Sequence, residues 1–264
     1  MTLADNINRA IADFDSIKNA IENKGVDVGT APTSEYADKI SQIETGDDYY
    51  DIFWDAYQNN GERTDYLSGF AGYGWSDITF RPKYDIKPRG KNGSSIFSRS
   101  LITDLSKILN ECGVILDTSE CTTFVQMFAG LPNITRIPTI SLINATATAV
   151  TSTMFYDVPS LTTIEKIISS KETVFYPNMF SCKILQNITF EGEIGTSISL
   201  KTCPLTAESA KSVITHLVNY AGTEKEFTCT VSLSDNVWGL LAEETDAPNG
   251  KTWVEYVDSL GWNT

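Results

Sequence analysis

Histidine is almost absent from this chain, and its scarcity excludes several kinds of active site. The 264 residues contain a single histidine, His216. HExxH zinc sites and metal sites made of several histidines are therefore impossible, and a Ser-His-Asp or Cys-His arrangement would have to use His216. Because His216 falls inside a helical apolar pattern, we expect a structural or surface role for it.

Paired cysteines are also lacking. The cysteines are odd in number, form no CxxC motif and lie in separate segments. Such spacing is typical of neither a disulfide framework nor a zinc site. We predict that they pack as small buried apolar side chains and that the chain holds no metal or cofactor. The five cysteines are Cys112, Cys121, Cys182, Cys203 and Cys229.

Long apolar runs and basic patches are missing too. No stretch of about 18 apolar residues is present, which predicts that the chain does not insert into a membrane. Residues 1–6 lack the basic flank and the apolar run of a signal peptide, so we expect synthesis in the cytoplasm without export. Acidic residues outnumber basic ones by 34 to 20, for a net charge of -14. Such a surface repels phosphate backbones, so no nucleic-acid partner is predicted.

The segment 1–46 carries a heptad stripe and is predicted to be a helical docking or oligomerisation segment. Its apolar residues recur at alternating steps of four and three, and Gly25 ends the run. Two ways of burying the stripe stay open. It packs between parallel copies of the chain, as in a homotrimer, or against a short second helix at about residues 34–43. The stripe consists of Leu3, Ile7, Ala10, Phe14, Ile17 and Ile21.

The segment 47–93 is unusually rich in aromatic residues. Eleven Phe, Trp and Tyr residues fall between Tyr49 and Tyr84. Rings this dense form either a core, here an N-terminal cap on the domain that follows, or a contact face. Aromatic rings supply large contact area and stack on sugar rings, which suits a face that binds a glycan or a protein. The candidate ligand contacts are Tyr49, Tyr50, Tyr73 and Trp75.

The segment 94–203 contains an internal repeat built around phenylalanine. Apolar residues follow Phe128 after six and nine positions, and they follow Phe155, 27 residues later, at the same offsets. Phe180 lies 25 residues further on and has them after five and eight positions, as does Phe97. This pattern is typical of a leucine-rich-repeat solenoid, in which each unit buries its apolar face by stacking on its neighbours. Strands are predicted at about residues 134–140, 164–168 and 188–190.

The segment 204–264 has the pattern of an α+β C-terminal cap. An apolar face at helical spacing predicts a helix that continues to about Ala221. Apolar residues then alternate with polar ones over residues 227–233, which predicts a half-buried strand. Thr252 and Glu255 form a capping-box pattern that predicts a last helix. A solenoid needs such a closing unit because its last repeat would otherwise expose core.

Several of these segments resemble a family of phage and prophage proteins from intestinal bacteria. The run FWDAYQNNG at residues 53–61, with the aromatic motifs at 63–66, 70–75 and 82–86, resembles a module that precedes BspA-type leucine-rich repeats in that family. Residues 21–43 are similar to the start of phage tail and baseplate-associated proteins, and the segment from Ser212 to Trp262 resembles the family's C-terminal end. The resemblance implies an α+β fold: a short BspA-type leucine-rich-repeat solenoid with an α-helical N-terminal segment and an α+β C-terminal cap.

The same resemblance implies a function. Members of the family are described as phage structural or tail proteins, and they carry no catalytic motif that could be transferred to this chain. The expectation is a non-enzymatic virion protein of the tail, fibre or baseplate. Its partners would be other virion proteins and a glycan or protein on the host-cell surface. Virions leave the cell by lysis, so a virion protein needs no signal peptide.

Three alternatives remain open at this point. A tail-borne glycoside hydrolase or depolymerase would use two carboxylates about 5–9.5 Å apart. An assembly or scaffold protein without an external ligand would bind another virion protein through residues 1–46. A bacterial surface adhesin of the same fold would require export. The carboxylates considered for the enzyme are Glu191 with Glu193, and the cluster of Asp47, Asp48 and Asp51.

Overall fold

The structure, a computed structural model, describes Lys18, Glu22 and residues 75–264 apart from 79, 83, 84, 89, 90, 148 and 149. The chain divides into two units, Met1–Asn60 and Gly61–Thr264. In the first unit, Lys18 and Glu22 are helical, and their charged groups lie 3.8 Å apart. The heptad stripe lies outside the described residues, so its role stays a prediction.

The described part of the second unit is a mixture of short helices and short strands. Helix α1 shows how local chemistry sets their ends: the Asp104 side chain accepts a hydrogen bond from the Lys107 amide, and Gly113 closes the helix in the left-handed conformation. No helix among the described residues is long and apolar enough to cross a membrane. The helices are α1 (Leu105–Cys112), α2 (Ala207–Thr215), α3 (Asp235–Ala242) and α4 (Trp253–Ser259), with a 3₁₀ turn at Pro248–Gly250. The strands are β1 (Arg136–Ile137), β2 (Ile140–Ser141), β3 (Thr163–Ser169), β4 (Asn187–Gly192), β5 (Ile198–Ser199) and β6 (Val231–Ser232).

Strands β1 to β4 form one parallel sheet centred on β3. Strands β1 and β2 both pair with β3, and β4 pairs with β3 as well. The register places Ile137 beside Ile164 and Ile164 beside Ile188. These residues follow their repeat phenylalanines by nine, nine and eight positions. Equivalent positions of successive repeats therefore lie side by side. The strands predicted at about 164–168 and 188–190 are confirmed, and the one predicted at about 134–140 is divided into the two short strands β1 and β2.

The phenylalanines that mark the repeat form a single buried stack. Ring centroids lie 5.5 Å apart for Phe97 and Phe128, 5.7 Å for Phe128 and Phe155, and 5.6 Å for Phe155 and Phe180. The rings are nearly parallel, and each is at most 2% exposed. Each phenylalanine thus covers the one before it, and Phe97 belongs to the series.

A column of hydrogen bonds beside the strands joins the same repeats. The Thr135 hydroxyl donates to the Thr103 carbonyl at 2.8 Å, and the Thr162 hydroxyl donates to the Thr135 carbonyl at 3.1 Å. The amides of Gln186 and Asn187 in turn donate to the Thr162 carbonyl. Carbonyl groups between strands, which need partners when they are shielded from water, are satisfied in this way.

The turns that carry the phenylalanines share an uncommon backbone. In three of them, the residues two positions before and two positions after the phenylalanine have positive φ. Only one of these six residues is glycine, although glycine adopts this conformation most readily. The pairs are Ser95 and Arg99, Gln126 and Gly130, and Thr153 and Asp157.

The C-terminal segment differs from the sequence prediction at two places. Helix α2 ends at Thr215, so the prediction that it continues to Ala221 is wrong. The reason is that Leu217 pairs in parallel with Ile194, and this extended pairing ends the helix. The predicted strand over 227–233 shrinks to β6, because Phe227 lies in a turn with positive φ and is 51% exposed.

Other features of this segment are confirmed, and parallel pairing continues through it. The capping box of Thr252 and Glu255 opens α4 as predicted. Strand β5 pairs in parallel with β6, and Thr230 pairs in parallel with Asn263. Trp262 is fully buried, and its ring nitrogen donates to the Val218 carbonyl at 2.7 Å. The end of the chain is therefore tied into the same core.

Candidate functional site

The outward face of the parallel sheet is a polar surface. Ile164 and Ile188 point into the core and are each 1% exposed. Because strand side chains alternate between two faces, their neighbours point outward. These outward residues are partly or fully exposed hydroxyl, amide and carboxylate side chains, namely Thr163, Glu165, Asn187 and Thr189.

An ion pair crosses this surface between neighbouring strands. The Nε and Nη2 atoms of Arg136 on β1 lie 3.0 and 2.9 Å from Oε1 of Glu165 on β3. The two side chains are 47% and 28% exposed. A pair this exposed contributes at most about 1 kcal/mol to stability. Its charged atoms remain accessible to a ligand.

Helices stand at both sides of the surface. Helix α1 contacts β1, and helix α2 contacts β4. A cleft of about 460 Å³ runs over β3 and β4 to the start of α2, where Thr206 and Glu208 line it. A second cleft of about 290 Å³ lies between α1 and β3. Arg136 and Glu165 line both clefts. The two clefts are therefore adjacent, and we call them together the sheet trough.

The lining of the sheet trough carries charges of both signs. Lys107 and Arg136 supply the cations, and the carboxylates come from Asp104, Glu111, Glu165 and Glu208. Threonine, serine and asparagine side chains fill the space between them. No aromatic side chain is present in the described lining of either cleft. The trough is thus suited to a polar ligand that is held by hydrogen bonds.

Glu191, one of the carboxylates considered for glycoside hydrolysis, is engaged by a lysine. Its Oε2 lies 2.7 Å from Nζ of Lys166. The hydrogen bond from Lys166 lowers the pKa of the Glu191 carboxyl. A glycosidase acid needs the opposite shift, because it must stay protonated until it donates to the leaving group. This geometry suits Glu191 to an ionic contact.

Of the remaining carboxylates of the enzyme hypothesis, only Glu193 lies among the described residues. Glu193 is exposed, and its backbone amide donates to the Ser169 carbonyl at 3.1 Å. Asp47, Asp48 and Asp51 lie outside the described residues. Among the described carboxylates, the pKa values that shift clearly all shift downward, for Asp117, Glu191, Asp246 and Glu255.

The aromatic contact residues proposed from the sequence do not form a described surface. Trp75 is 6% exposed, and its ring lies edge-on to Phe80 at 5.8 Å. This burial favours the core interpretation of the aromatic segment at Trp75, and we no longer count that residue among the ligand contacts. Tyr49, Tyr50 and Tyr73 lie outside the described residues.

His216 holds the end of α2. Its Nδ1 lies 2.6 Å from the Ser212 carbonyl, and its own carbonyl accepts from the Ile194 amide at 2.7 Å. Both contacts are with the backbone and fix the place where the helix gives way to parallel pairing. The expected structural role of His216 is supported by these contacts.

The cysteines are free thiols, and three of them are buried as predicted. Burial raises the pKa of Cys121 to about 12 and that of Cys203 to about 11, and it raises the pKa of Cys182 as well. These three thiols are therefore inert at neutral pH. Cys112 and Cys229 are only half-buried, so the prediction of burial is wrong for them.

Sequence inspection missed the sheet trough. Its floor residues are the polar positions next to the repeating aliphatic residues, so their outward direction followed from the strand pattern. The cross-strand register, which brings Arg136 to Glu165, was not evident from that pattern. In the part of the chain that is described, no group of three or more His, Cys, Asp or Glu side chains is placed to hold a metal ion.

No family model, no curated protein and no solved structure matches this chain. Arguments about its function therefore depend on the residues and on the geometry of the sheet trough.

Proposed function

We propose that this chain is a non-enzymatic structural protein of a phage virion, in the tail, fibre or baseplate, and that it binds a glycan or protein of the host-cell surface. The proposal includes the fold: a short leucine-rich-repeat solenoid of BspA type. The stacked phenylalanines and the parallel pairing of successive repeats support that fold, because each repeat buries its apolar face on the next. In the virion, residues 1–46 dock onto other virion proteins or join copies of the chain.

The sheet trough is the observation that carries the proposal. It is open, extends from α1 to α2 and presents hydroxyl, amide and charged groups without a deep cavity. Repeat proteins bind partners along such extended faces. A host-surface polymer repeats its polar groups along its length. Many weak contacts can therefore form along the trough and add up.

Binding to bacterial cells tests the role of the trough. The full-length chain, labelled with a fluorophore, is added to a panel of intestinal bacterial strains and cell-bound fluorescence is measured. Asn187→Arg places a long cation on the trough floor and is expected to reduce binding at least tenfold. Asn133→Arg is the matched control, since Asn133 is exposed and lines neither cleft. Equal binding of the two variants to the cells would show that the sheet trough is not the binding surface.

The same preparation distinguishes the alternatives. Release of soluble sugar from host cell walls by the wild-type chain, with loss of release in Glu191→Gln, would support a hydrolase. Binding to another virion protein without binding to any cell would support an assembly role. Detection of the chain in purified, washed particles by mass spectrometry is expected, and its absence would contradict a virion location.

A further inference from the structure

A second cavity lies on the phenylalanine turns and shares no lining residue with the sheet trough. It encloses about 190 Å³. Three successive turns form it: Arg99 comes from the first, Gln126 and Gly130 from the second, and Tyr156 and Asp157 from the third. We call this cavity the turn pocket.

The pocket exists because the middle turn has a glycine, Gly130, two positions after its phenylalanine. Arg99, Gly130 and Asp157 each lie two positions after a stacked phenylalanine, so they form a column across the three turns. A Cβ atom on Gly130 would meet only Arg99, whose Cγ would lie 3.4 Å away. The missing side chain leaves a gap between a cation and an anion.

The walls of the gap are fixed by backbone hydrogen bonds. The Arg99 amide donates to the Ala129 carbonyl at 3.0 Å, and the Gly130 amide donates to the Tyr156 carbonyl at 2.9 Å. The phenylalanine rings beneath are stacked and buried. The pocket is therefore preformed, and a ligand entering it does not have to order the turns.

The polar groups of the pocket are available to a ligand. Arg99 and Asp157 form no salt bridge with another described residue. The Tyr156 side chain is 59% exposed at the rim. Arg99, Gln126 and Asp157 all have positive φ, a conformation that glycine or asparagine adopts with less strain. The repeated turn explains this backbone but not the choice of three long or charged side chains, and strained residues of this kind concentrate at binding sites.

We propose that the turn pocket binds the pyranose ring of a neutral sugar. Hydroxyl groups both donate and accept hydrogen bonds. One ring can therefore donate to the Asp157 carboxylate and accept from Arg99 and Gln126, while its C–H face packs on the Tyr156 ring. Arg99 and Asp157 together leave the described lining without net charge, so it gives no net attraction to an anionic or a cationic sugar. The volume lies below the ~300–1,000 Å³ of drug-sized sites and suits a single ring. This inference deepens the proposed host-surface binding and rests on it for its biological setting.

Titration with simple glycosides tests the inference on the full-length chain. The probes are the methyl pyranosides of glucose, galactose, mannose and N-acetylglucosamine, with methyl glucuronide and D-alanine as charged comparators. Binding is followed by saturation-transfer NMR. At least one neutral glycoside is expected to bind through its ring C–H protons, and more tightly than either comparator.

Two variants remove the site with asparagine, which tolerates a positive φ better than most residues. Gly130→Asn fills the gap with a residue that tolerates positive φ, and Arg99→Asn removes the cation at another positive-φ position. Each is expected to weaken glycoside binding at least tenfold. Thr153→Asn is the matched control, because Thr153 has the same backbone conformation but does not line the pocket. The unfolding transition of each variant is measured first, and Arg99→Asn decides the question if Gly130→Asn does not fold.

Two results would overturn the inference. One is that no neutral glycoside binds the wild-type chain, or that a charged comparator binds more tightly. The other is that Arg99→Asn binds as the wild type does. Cell binding that is lost in Asn187→Arg, together with no glycoside binding by the wild-type chain, would preserve the proposed function while removing the sugar site. Glycoside binding by the wild-type chain without any binding to cells would preserve the sugar site while removing the proposed function.

Discussion

Thr153 combines a β-branched side chain with a left-handed backbone. Its φ is 52°, in a region where the left-handed conformation costs a non-glycine residue roughly 1–2 kcal/mol. Asparagine tolerates the conformation better, because its side chain is not branched at Cβ. The surrounding turn holds Thr153 in place because Phe155 must enter the stack. Replacing Thr153 with a residue that tolerates this conformation should therefore stabilise the protein.

We predict that Thr153→Asn raises the free energy of unfolding by about 1 kcal/mol. Urea titration followed by circular dichroism measures the change. Thr163→Asn is the control, because Thr163 lies on β3, where a β-branched residue is favoured. Stabilisation of the Thr163 variant, or none of the Thr153 variant, would contradict the explanation.

Gly195 lies where two chain segments approach each other closely. A Cβ atom at this position would come within 2.2 Å of the Lys171 carbonyl oxygen. The Tyr220 hydroxyl also donates to the Gly195 carbonyl at 2.8 Å, which ties a third segment to the same point. The three atoms nearest to the added Cβ all belong to the Lys171 backbone, so the backbone itself would have to move.

We predict that Gly195→Ala lowers the free energy of unfolding by about 2–3 kcal/mol through overpacking. Gly239→Ala is the matched control: Gly239 lies in helix α3 with no atom within 4 Å of the added Cβ. That control is expected to stabilise the protein by about 0.5–1 kcal/mol, because alanine favours the helix. Equal effects of the two substitutions would refute the close approach at Gly195.

At the scale of elements, Lys211 joins α2 to the segment between α3 and α4. Its Nζ lies 2.8 Å from Glu244 Oε2 and 2.8 Å from Asp246 Oδ2. It also lies 5.8 Å from the centre of the Trp253 ring, whose nitrogen donates to Asp246. The hydrogen bond from Lys211 lowers the pKa of Asp246, and the hydrogen bonds to Asp246 and Glu244 raise the pKa of Lys211.

The pH dependence of this contact has a definite sign. The lowered pKa of Asp246 adds stability above the unfolded aspartate pKa of about 3.9, and this stability is lost as pH falls through the lower folded value. The raised pKa of Lys211 adds stability below about pH 10.4, which is lost as pH rises through the folded value.

We predict that Lys211→Met lowers the melting temperature at pH 7 and that the difference from the wild type narrows below about pH 4. Differential scanning calorimetry at several pH values measures both effects. Lys183→Met is the control, since Lys183 is exposed and is found in no described salt bridge. A deficit that stays constant down to pH 2 would show that the ionic contacts do not stabilise the cap.

Local patterns predicted local structure well. The spacing of the phenylalanines anticipated the stack, and Thr252 with Glu255 anticipated the start of α4. Features that depend on distant segments were not predictable in the same way. Helix α2 stops because of a pairing with Ile194, and the sheet trough requires Arg136 to meet a residue 29 positions away. Such pairings depend on register, which the repeat period fixes only approximately.

For the whole molecule, the open question set by the heptad stripe of residues 1–46 is the assembly state, because the stripe is predicted to pack either between copies of the chain or against residues 34–43. If the stripe packs between parallel copies of the chain, we predict a mass in solution of three times the 29.1 kDa chain mass. Light scattering of the full-length chain measures it. Phe14→Asp combined with Ile17→Asp is expected to give monomers, and Asn19→Asp, off the stripe, is expected to leave the mass unchanged. A monomeric wild-type chain would indicate that the stripe packs against residues 34–43.

The charge of the whole molecule is consistent with a role at a surface that is not a nucleic acid. The net charge of -14 keeps the chain soluble and repels polyanions. The described lining of the sheet trough carries two cations and four carboxylates, so it is acidic like the molecule as a whole. A neutral or mixed-charge polymer suits such a surface better than a polyphosphate.

Binding of a host-surface polymer through the sheet trough is tested most directly by comparing two dissociation constants. The ligand is the cell-wall polysaccharide of a strain to which the wild-type chain binds. The measured quantity is the dissociation constant of the full-length Asn187→Arg variant divided by that of the Asn133→Arg variant. Both are measured by biolayer interferometry at the same salt concentration. Binding through the trough predicts a ratio of at least ten, because only the first substitution obstructs the sheet trough. A ratio near one, with both variants as tight as the wild type, would contradict binding through the trough.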